Sequence, residues 1–491
     1  MHITRLRELD EERALTVGDR TLTYAQLSGL AGAVAHELAG ARRAAVWAEP
    51  TIEAITAIVA LVEAGVEVVP INPKLGTAEL EHVLEDSSPE FVLGAPEEAV
   101  LGGVQRRGIA LGDPIIEGLD AELPSPPQDP ERIALIIYTS GTTGPPKGVL
   151  MPARAIASNL DAIAHAWQWT AADSLAHALP IFHVHGLVLG TFGPLRLGAH
   201  VHHLGSFSPG AVADALAASD TMLFGVPTMY HRLAAAAEQD SEVAAAMRRA
   251  RLLVSGSAAL PARTFNRILD ATGQRVVERY GLTETIMNTA VRADAERRPG
   301  EVGPPLDGVE LRIVCDDGSD APWDSETIGE ILVRGPNLFL GYLNRPQATE
   351  EVVHDGWFWT GDLATRGPDG YVRILGRKST DLIKTGGFKV GAGEVEGALL
   401  EHPAVSEAAV RGEPDEDLGE RIVAWVVLVD GVHPPPDEAL ADHVAHLLTP
   451  HKRPREVHFV KELPRNAMGK VTKQSLTRNT SAVEASPRAG I

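Results

Sequence analysis

The sequence predicts an α/β protein: a large N-terminal α/β domain of parallel sheets with helices and an attached β-subdomain, then a small mobile α+β C-terminal domain. Three observations carry this. The chain has 491 residues, too many for one compact core. Its first hundred residues alternate strand and helix patterns. Its texture then changes twice, near Gly300 and near Gly376.

The elements follow in order. RRAAVWAEP contains a short strand at 44–48, and TIEAITAIVALVEAG reads as a helix stopped by Gly65. VEVVPINP is a strand ended by proline, TAELEHVLED a helix with Thr77 as its cap, and EFVLG the next strand. This βαβαβ order predicts a right-handed parallel sheet covered by helices. A proline-rich connection at 123–130 leads to a strand at 132–138. Beyond Gly300, VELRIVCDDGS and IGEILVRGPN read as short strands between turns, the β-subdomain. GEVEGALLEHP is an amphipathic helix, and VSEAAVRG, GERIVAWVVLVD and DEALADHVAHLL complete a small α+β domain. The expected divisions are 1–376 for the large domain, 377–381 for a hinge, 382–478 for the small domain and 479–491 for a disordered tail.

Composition narrows the function. A net charge of −22 gives no electrostatic footprint for nucleic acid or an anionic membrane. Anionic ligands would then need local positive charge. The single cysteine, Cys315, allows no disulfide within the chain, fits a reducing cytoplasm, and reads as a strand residue in the run 311–315. The N-terminus lacks an apolar signal segment. The uncharged stretch 174–195 carries Pro180, Pro194, three glycines and three histidines, which predicts a buried segment rather than a membrane span.

One stretch demands an oxyanion: YTSGTTGPPKG at 138–148. A Walker loop fails on spacing, because Lys147 lies three residues after Gly144 and is followed by Gly148. Glycines still let backbone N–H groups turn toward a phosphate, and hydroxyls and Lys147 add donors and charge.

This stretch resembles the phosphate loop of the acyl-adenylate-forming enzymes, and further motifs stand in that family's order through nearly the whole chain. The resemblance implies ATP binding by Thr139, Ser140, Gly141, Thr142, Thr143, Gly144 and Lys147, with Ser257 nearby. In YGLTET it implies Tyr280 against adenine, Thr283 on the α-phosphate and Glu284 on Mg²⁺; a flat ring, a hydroxyl and a hard carboxylate suit those partners. Asp362 in WFWTGDLA resembles the carboxylate that accepts both ribose hydroxyls, with Arg377 joining it. Lys470 in PRNAMGKVTK resembles the catalytic lysine that neutralises charge at the attacked phosphorus. Gly386, Gly387 and Lys389 in KTGGFKV would border the coenzyme A thiol tunnel. The stretch RKSTDLIKTGG is one residue longer than the commonest hinge pattern, which leaves Lys378, Ser379 and Thr380 open as the pivot.

The reaction so implied is adenylation of a carboxylate by MgATP followed by transfer to a thiol. For the acid, Arg232 in VPTMYHRLAAAA is the informative residue: directed inward it calls for a second carboxylate, directed outward it does not. The neighbouring segments LPIFHVHGL, LLVSGSAALP and ERYGLTETIMNT resemble the malonyl-CoA synthetase branch. That likeness implies Arg232 on the distal carboxylate, Val184, Ser257 and Met287 near the α-carbon, and His183 as a gate between the nucleotide and thiol sides. Malonate or methylmalonate would be the acid. The alternatives are a monocarboxylate synthetase, an adenylation enzyme that loads a carrier protein, and a nucleotide-binding protein without catalysis. A zinc site at His183/His185 or His200/His202/His203 is disfavoured, since no carboxylate or cysteine completes either set at useful spacing.

Overall fold

The computed structural model describes residues 3–109, 122–125, 127–139, 145–465 and 471–477. The chain divides into two compact units. The first comprises Met1–Leu260, Thr264–Leu311 and Val333–Trp359; the second takes Pro261–Arg263, Arg312–Leu332 and the chain from Thr360 onward.

The first unit holds two large sheets. A six-stranded sheet runs Gln105–Arg107, Phe91–Leu93, Arg43–Trp47, Glu67–Ile71, Ile133–Thr139, Lys147–Pro152. Its pairs are parallel except the last, as the alternation in the sequence predicts. The helix Ile52–Ala64 is buried almost throughout, which explains its unbroken apolar run. Thr51 Oγ1 caps it by accepting from Ala54 N–H at 3.1 Å, and Gly65 ends it at φ 85°. The next helix corrects one expectation. Thr77 is its first residue, and Gly76 occupies the cap position with its N–H donating to Glu79 Oε2 at 3.3 Å.

The eight-stranded sheet runs Thr289–Ala290, Val277–Tyr280, Leu252–Ser255, Met222–Gly225, Ser174–His177, His200–His203, Arg13–Val17, Arg20–Thr23. Its six central strands are parallel. Gly225 lies opposite Ser255, and Ser255 opposite Glu278, so three carboxyl ends of parallel strands open side by side. In open α/β sheets that edge is where ligands bind. The uncharged stretch resolves into the strand Ser174–His177, a π-helix His185–Phe192 and the helix Gly193–Leu197. Among the described residues no helix is long and apolar enough to cross a membrane.

A five-stranded sheet is built from Glu310–Val314, Gly329–Arg334, Trp357–Arg366, Val353–His354 and Val372–Arg377. Here the strand predicted to end at Cys315 stops at Val314, because Cys315 N–H turns to Ser319 O at 2.8 Å. A further sheet, within the second unit, runs Phe388–Gly391, Leu382–Thr385, Gly419–Leu428, Val405–Asp415, with Glu456–Phe459 parallel to Gly419–Leu428. Helices Ala392–Glu401 and Asp437–Leu447 pack with it around Val395, Leu399, Val410, Ala424, Leu440 and Val444.

Candidate active site

In the first unit, Thr139 ends one strand directly opposite Lys147, which begins the next. Ser140, Gly141, Thr142, Thr143 and Gly144 lie outside the described residues. Gly148 is closely packed: a Cβ there would lie 3.1 Å from Ile136 Cγ2 and Tyr138 Cζ. The half-buried Lys147 holds its Nζ 4.9 Å from the centroid of the Tyr342 ring. Tyr342 Oη donates to Glu284 Oε1 at 2.8 Å.

Residues 280–288 form a compact turn. Asn288 N–H donates to Tyr280 O at 2.8 Å, and a Cβ on Gly281 would come within 2.1 Å of Ile286 O. Ile286 sits at φ 57°, a backbone region costly for a β-branched residue. Phe339 N–H donates to Glu284 O at 2.9 Å and Asn337 Nδ2 to Thr285 O at 2.8 Å, fixing the turn from outside. Thr283 and Met287 are buried, while Tyr280 and Glu284 are half-buried.

The neighbouring strand ends hold an isolated charge. Arg279 is 7% exposed, and burial lowers its pKa only to about 10, so it is cationic at neutral pH. Its Nε and Nη2 have no hydrogen-bond partner among the described residues. A Cβ on Gly256 would lie 2.2 Å from its Cζ, so the guanidinium covers the Gly256 backbone. Next to it, Ser257 adopts φ 70° and places Oγ 3.1 Å from His185 Nδ1. Burial first and the Arg279 charge second push the His183 imidazole down to about 4 and hold His185 well below its usual range. Both rings are neutral at pH 7. Val184 is buried at the start of the π-helix, and a Cβ on Gly186 would come within 2.2 Å of Pro180 O.

The structure places Arg232 at the protein surface. Its helix, Pro227–Gln239, turns Tyr230, Leu233, Ala234 and Ala237 to the core. Arg232 is consequently exposed, with its Cζ 4.8 Å over the Phe207 ring. Two guanidinium groups, those of Arg132 and Arg279, are buried among the described residues, and Arg279 is the one that directly precedes YGLTET. Tyr342 stands in none of the motifs above, and His185 enters them only as a disfavoured zinc ligand.

The other histidines make internal contacts. His200 meets Ser174 Oγ at 2.7 Å and Thr16 Oγ1 at 2.8 Å, and His202 Nδ1 meets Asp220 Oδ2 at 2.7 Å. Among the described residues no group of three or more His, Cys, Asp or Glu side chains is placed to hold a metal.

In the second unit, Asp362 and Arg377 face one another across paired strands. Arg377 Nε lies 2.9 Å from Asp362 Oδ1, and its Nη1 donates to Thr360 O at 2.7 Å. The turn after Arg377 closes on itself: Arg377 N–H donates to Asp381 Oδ2 at 2.8 Å and Asp381 N–H to Arg377 O at 2.7 Å. Gly386 and Gly387, at φ 57° and 82°, are the central pair of an exposed two-residue hairpin with Thr385 opposite Phe388. Lys389 Nζ pairs with Asp316. Lys470 lies outside the described residues.

Two family models match: AMP-binding enzyme over residues 4–343 and AMP-binding enzyme C-terminal domain over residues 394–470. The mitochondrial malonate–CoA ligase of Homo sapiens is 38% identical over 84% of this chain and 78% of its own length. A solved malonyl-CoA ligase, a ternary product complex with methylmalonyl-CoA and AMP, is 56% identical, with a TM-score of 0.70 over 93% of this chain and 97% of that one. ATP-bound MatB from Rhodopseudomonas palustris is 34% identical, with a TM-score of 0.86 over 96% of this chain and 98% of that one. The chain belongs to the acyl-adenylate-forming family of AMP-binding enzymes, in the branch that contains the malonate–CoA ligases.

Proposed function

We propose that the protein is a malonate–CoA ligase that also accepts methylmalonate: it forms an acyl-adenylate from the dicarboxylate and ATP, then passes the acyl group to coenzyme A, releasing pyrophosphate and AMP. One observation carries the choice of acid. Arg279 is a buried cation to which the described residues give no carboxylate. An isolated buried charge is costly, and a ligand carboxylate compensates it with a bidentate pair. Monocarboxylates cannot, so acetate should be worse by roughly 10³-fold, whereas an α-methyl group changes selectivity by only about 1–3 kcal/mol. The named activities of the relatives support the same reading.

In this reading the near carboxylate attacks the α-phosphorus and pyrophosphate leaves. Lys147, Thr283, Lys470 and the donors Thr139 to Gly144 stabilise the charge that accumulates when two anions meet. Tyr280 stacks on adenine; Asp362 and Arg377 hold the ribose. Mg²⁺ fits Glu284, a half-buried carboxylate with one oxygen held by Tyr342. Such a site suits an ion held by one protein carboxylate and substrate phosphates. When bound, the ion would neutralise phosphate charge.

In the second half the thiol attacks the acyl carbon and AMP departs. His183, neutral at pH 7, borders both sides without adding charge. Gly386, Gly387 and Lys389 border the pantetheine, and the exchange with Lys470 uses rotation about the hinge 377–381, between the domain 1–376 and the domain 382–478. We place the protein in the cytoplasm; since the human relative is named as mitochondrial, fractionation of the source cells tests this.

The deciding experiment is ATP-dependent pyrophosphate release over malonate, methylmalonate, succinate, acetate, butyrate and benzoate, with CoA or a phosphopantetheinylated carrier protein as acceptor. Malonate and methylmalonate with CoA should dominate. Equal turnover of monocarboxylates would overturn the dicarboxylate reading, and preference for the carrier protein would overturn the choice of thiol.

A further inference from the structure

Tyr342 lies in FLGYLNRP, remote in sequence from both the phosphate loop and YGLTET. Its surroundings fix it closely. Its strand-like segment runs beside Lys147–Pro152: Leu150 N–H donates to Gly341 O at 3.0 Å and Leu343 N–H to Gly148 O at 2.8 Å. Tyr342 N–H donates to Thr349 Oγ1 at 2.9 Å. Gly341, at φ 135°, adopts a backbone conformation that a side chain would strain, and a Cβ there would lie 3.0 Å from Thr349. The Phe339 ring packs edge-on against the tyrosine at 5.1 Å between centroids.

A ring held this way does two things at once. Its hydroxyl donates to Glu284 Oε1 at 2.8 Å, which fixes the carboxylate plane and leaves Oε2 for another ligand. Its face receives the Lys147 ammonium at 4.9 Å, which limits the sweep of a flexible four-carbon stem. The two charged groups stand 137 residues apart in sequence, and this one side chain touches both.

We propose that Tyr342 is a positioning residue that sets Lys147 and Glu284 to act on one metal–triphosphate. The proposal rests on the reading of Lys147 as a phosphate ligand and Glu284 as the Mg²⁺ carboxylate. Neither the acid nor the thiol enters it, so its signature is confined to nucleotide and metal.

The test is calorimetric titration of the full-length protein with ATP, with and without Mg²⁺ and without any acid, so that no turnover occurs. Tyr342→Phe keeps the ring and removes the hydroxyl. It should weaken the Mg²⁺-dependent part of ATP affinity by about 10-fold, while ATP affinity without metal stays within about twofold. Tyr342→Leu removes the ring as well and should lower metal-free ATP affinity by about threefold. KM for malonate should be unchanged in both. A Tyr342→Phe protein with wild-type Mg²⁺ dependence would overturn the proposal. So would one whose nucleotide, malonate and thermal behaviour decline together, since that marks a packing role. Glu284→Gln serves as the control: wild-type Mg²⁺ dependence in that variant would instead refute the metal assignment itself.

Discussion

The guanidinium of Arg279 occupies the space that a side chain on residue 256 would need, with Cζ 2.2 Å from the Cβ position of Gly256. The glycine is therefore part of how the charge is placed. Gly256→Ala should push the guanidinium aside and lower kcat/KM for malonate by about 10²-fold with KM for ATP unchanged. Arg279→Met should lose about 10³-fold or more on malonate and yet raise stability by about 1–4 kcal/mol, because it removes a buried charge that has no counterion among the described residues. Steady-state kinetics and urea unfolding on the same preparations check both. Joint loss of activity and stability would mean that Arg279 is structural.

Arg232→Ala separates the two arginines. An exposed guanidinium stacked on Phe207 contributes little to stability. If it also engages the distal carboxylate, malonate kcat/KM should fall by about 10-fold or more. Unchanged malonate kinetics would leave Arg279 as the sole guanidinium on the acid.

Acid should destabilise the first unit before it affects other properties. Burial, its leading cause, lowers His183 and His200 from 6.5 to about 4, outweighing the Asp220 carboxylate that acts oppositely on His200. Burial lowers His177, His185 and His203 as well. The unfolded chain thus binds protons below pH about 6.5 that the folded chain refuses. Stability is full above that pH and declines by about 1.4 kcal/mol per pH unit per histidine as pH falls toward 4. Urea unfolding at pH 7, 6 and 5 measures the slope. His200→Gln should make it shallower; identical slopes would show that His200 titrates normally in the fold.

The small domain depends on a half-buried cation shared by two acids. Lys473 Nζ lies 2.6 Å from Asp381 Oδ1 and 2.6 Å from Glu396 Oε1. Lys473→Met should cost about 1–3 kcal/mol by leaving two half-buried carboxylates with backbone N–H partners but no cation. Burial raises the Glu396 pKa, so the penalty should be smaller at pH 5 than at pH 8. Lys473→Arg should retain more stability than Lys473→Met. Calorimetric melts at the two pH values test this, and a pH-independent penalty would count against the ion-pair account.

Much of the architecture can be read from periodicity. The βαβαβ start, the stop at Gly65 and the change to short strands after Gly300 are local patterns with local causes. Thr283, Glu284, Asp362 and Arg377 stand out as candidates in the sequence because their chemistry recurs in fixed words. Arg279 and Tyr342 do not. Their placement depends on burial and on which strand ends meet, and neither property is written in the neighbouring residues. Arg232 is a charged residue in a suggestive word, and the phase of its helix, which the word does not reveal, leaves it exposed. The π-helix at His185–Phe192 escaped for a related reason, since an apolar run with glycines carries no mark of its hydrogen-bonding register.

Two residues around the site, Ser257 at φ 70° and Ile286 at φ 57°, hold a backbone shape that glycine would adopt with less strain. Random mutagenesis scored only for survival at high temperature would therefore be drawn toward these positions. The sturdier proteins it returned would have lost the Ser257 hydroxyl or loosened the turn that carries Thr283 and Glu284. For this enzyme, hardiness and turnover pull on the same few backbone angles, and an engineering campaign must select for both at once.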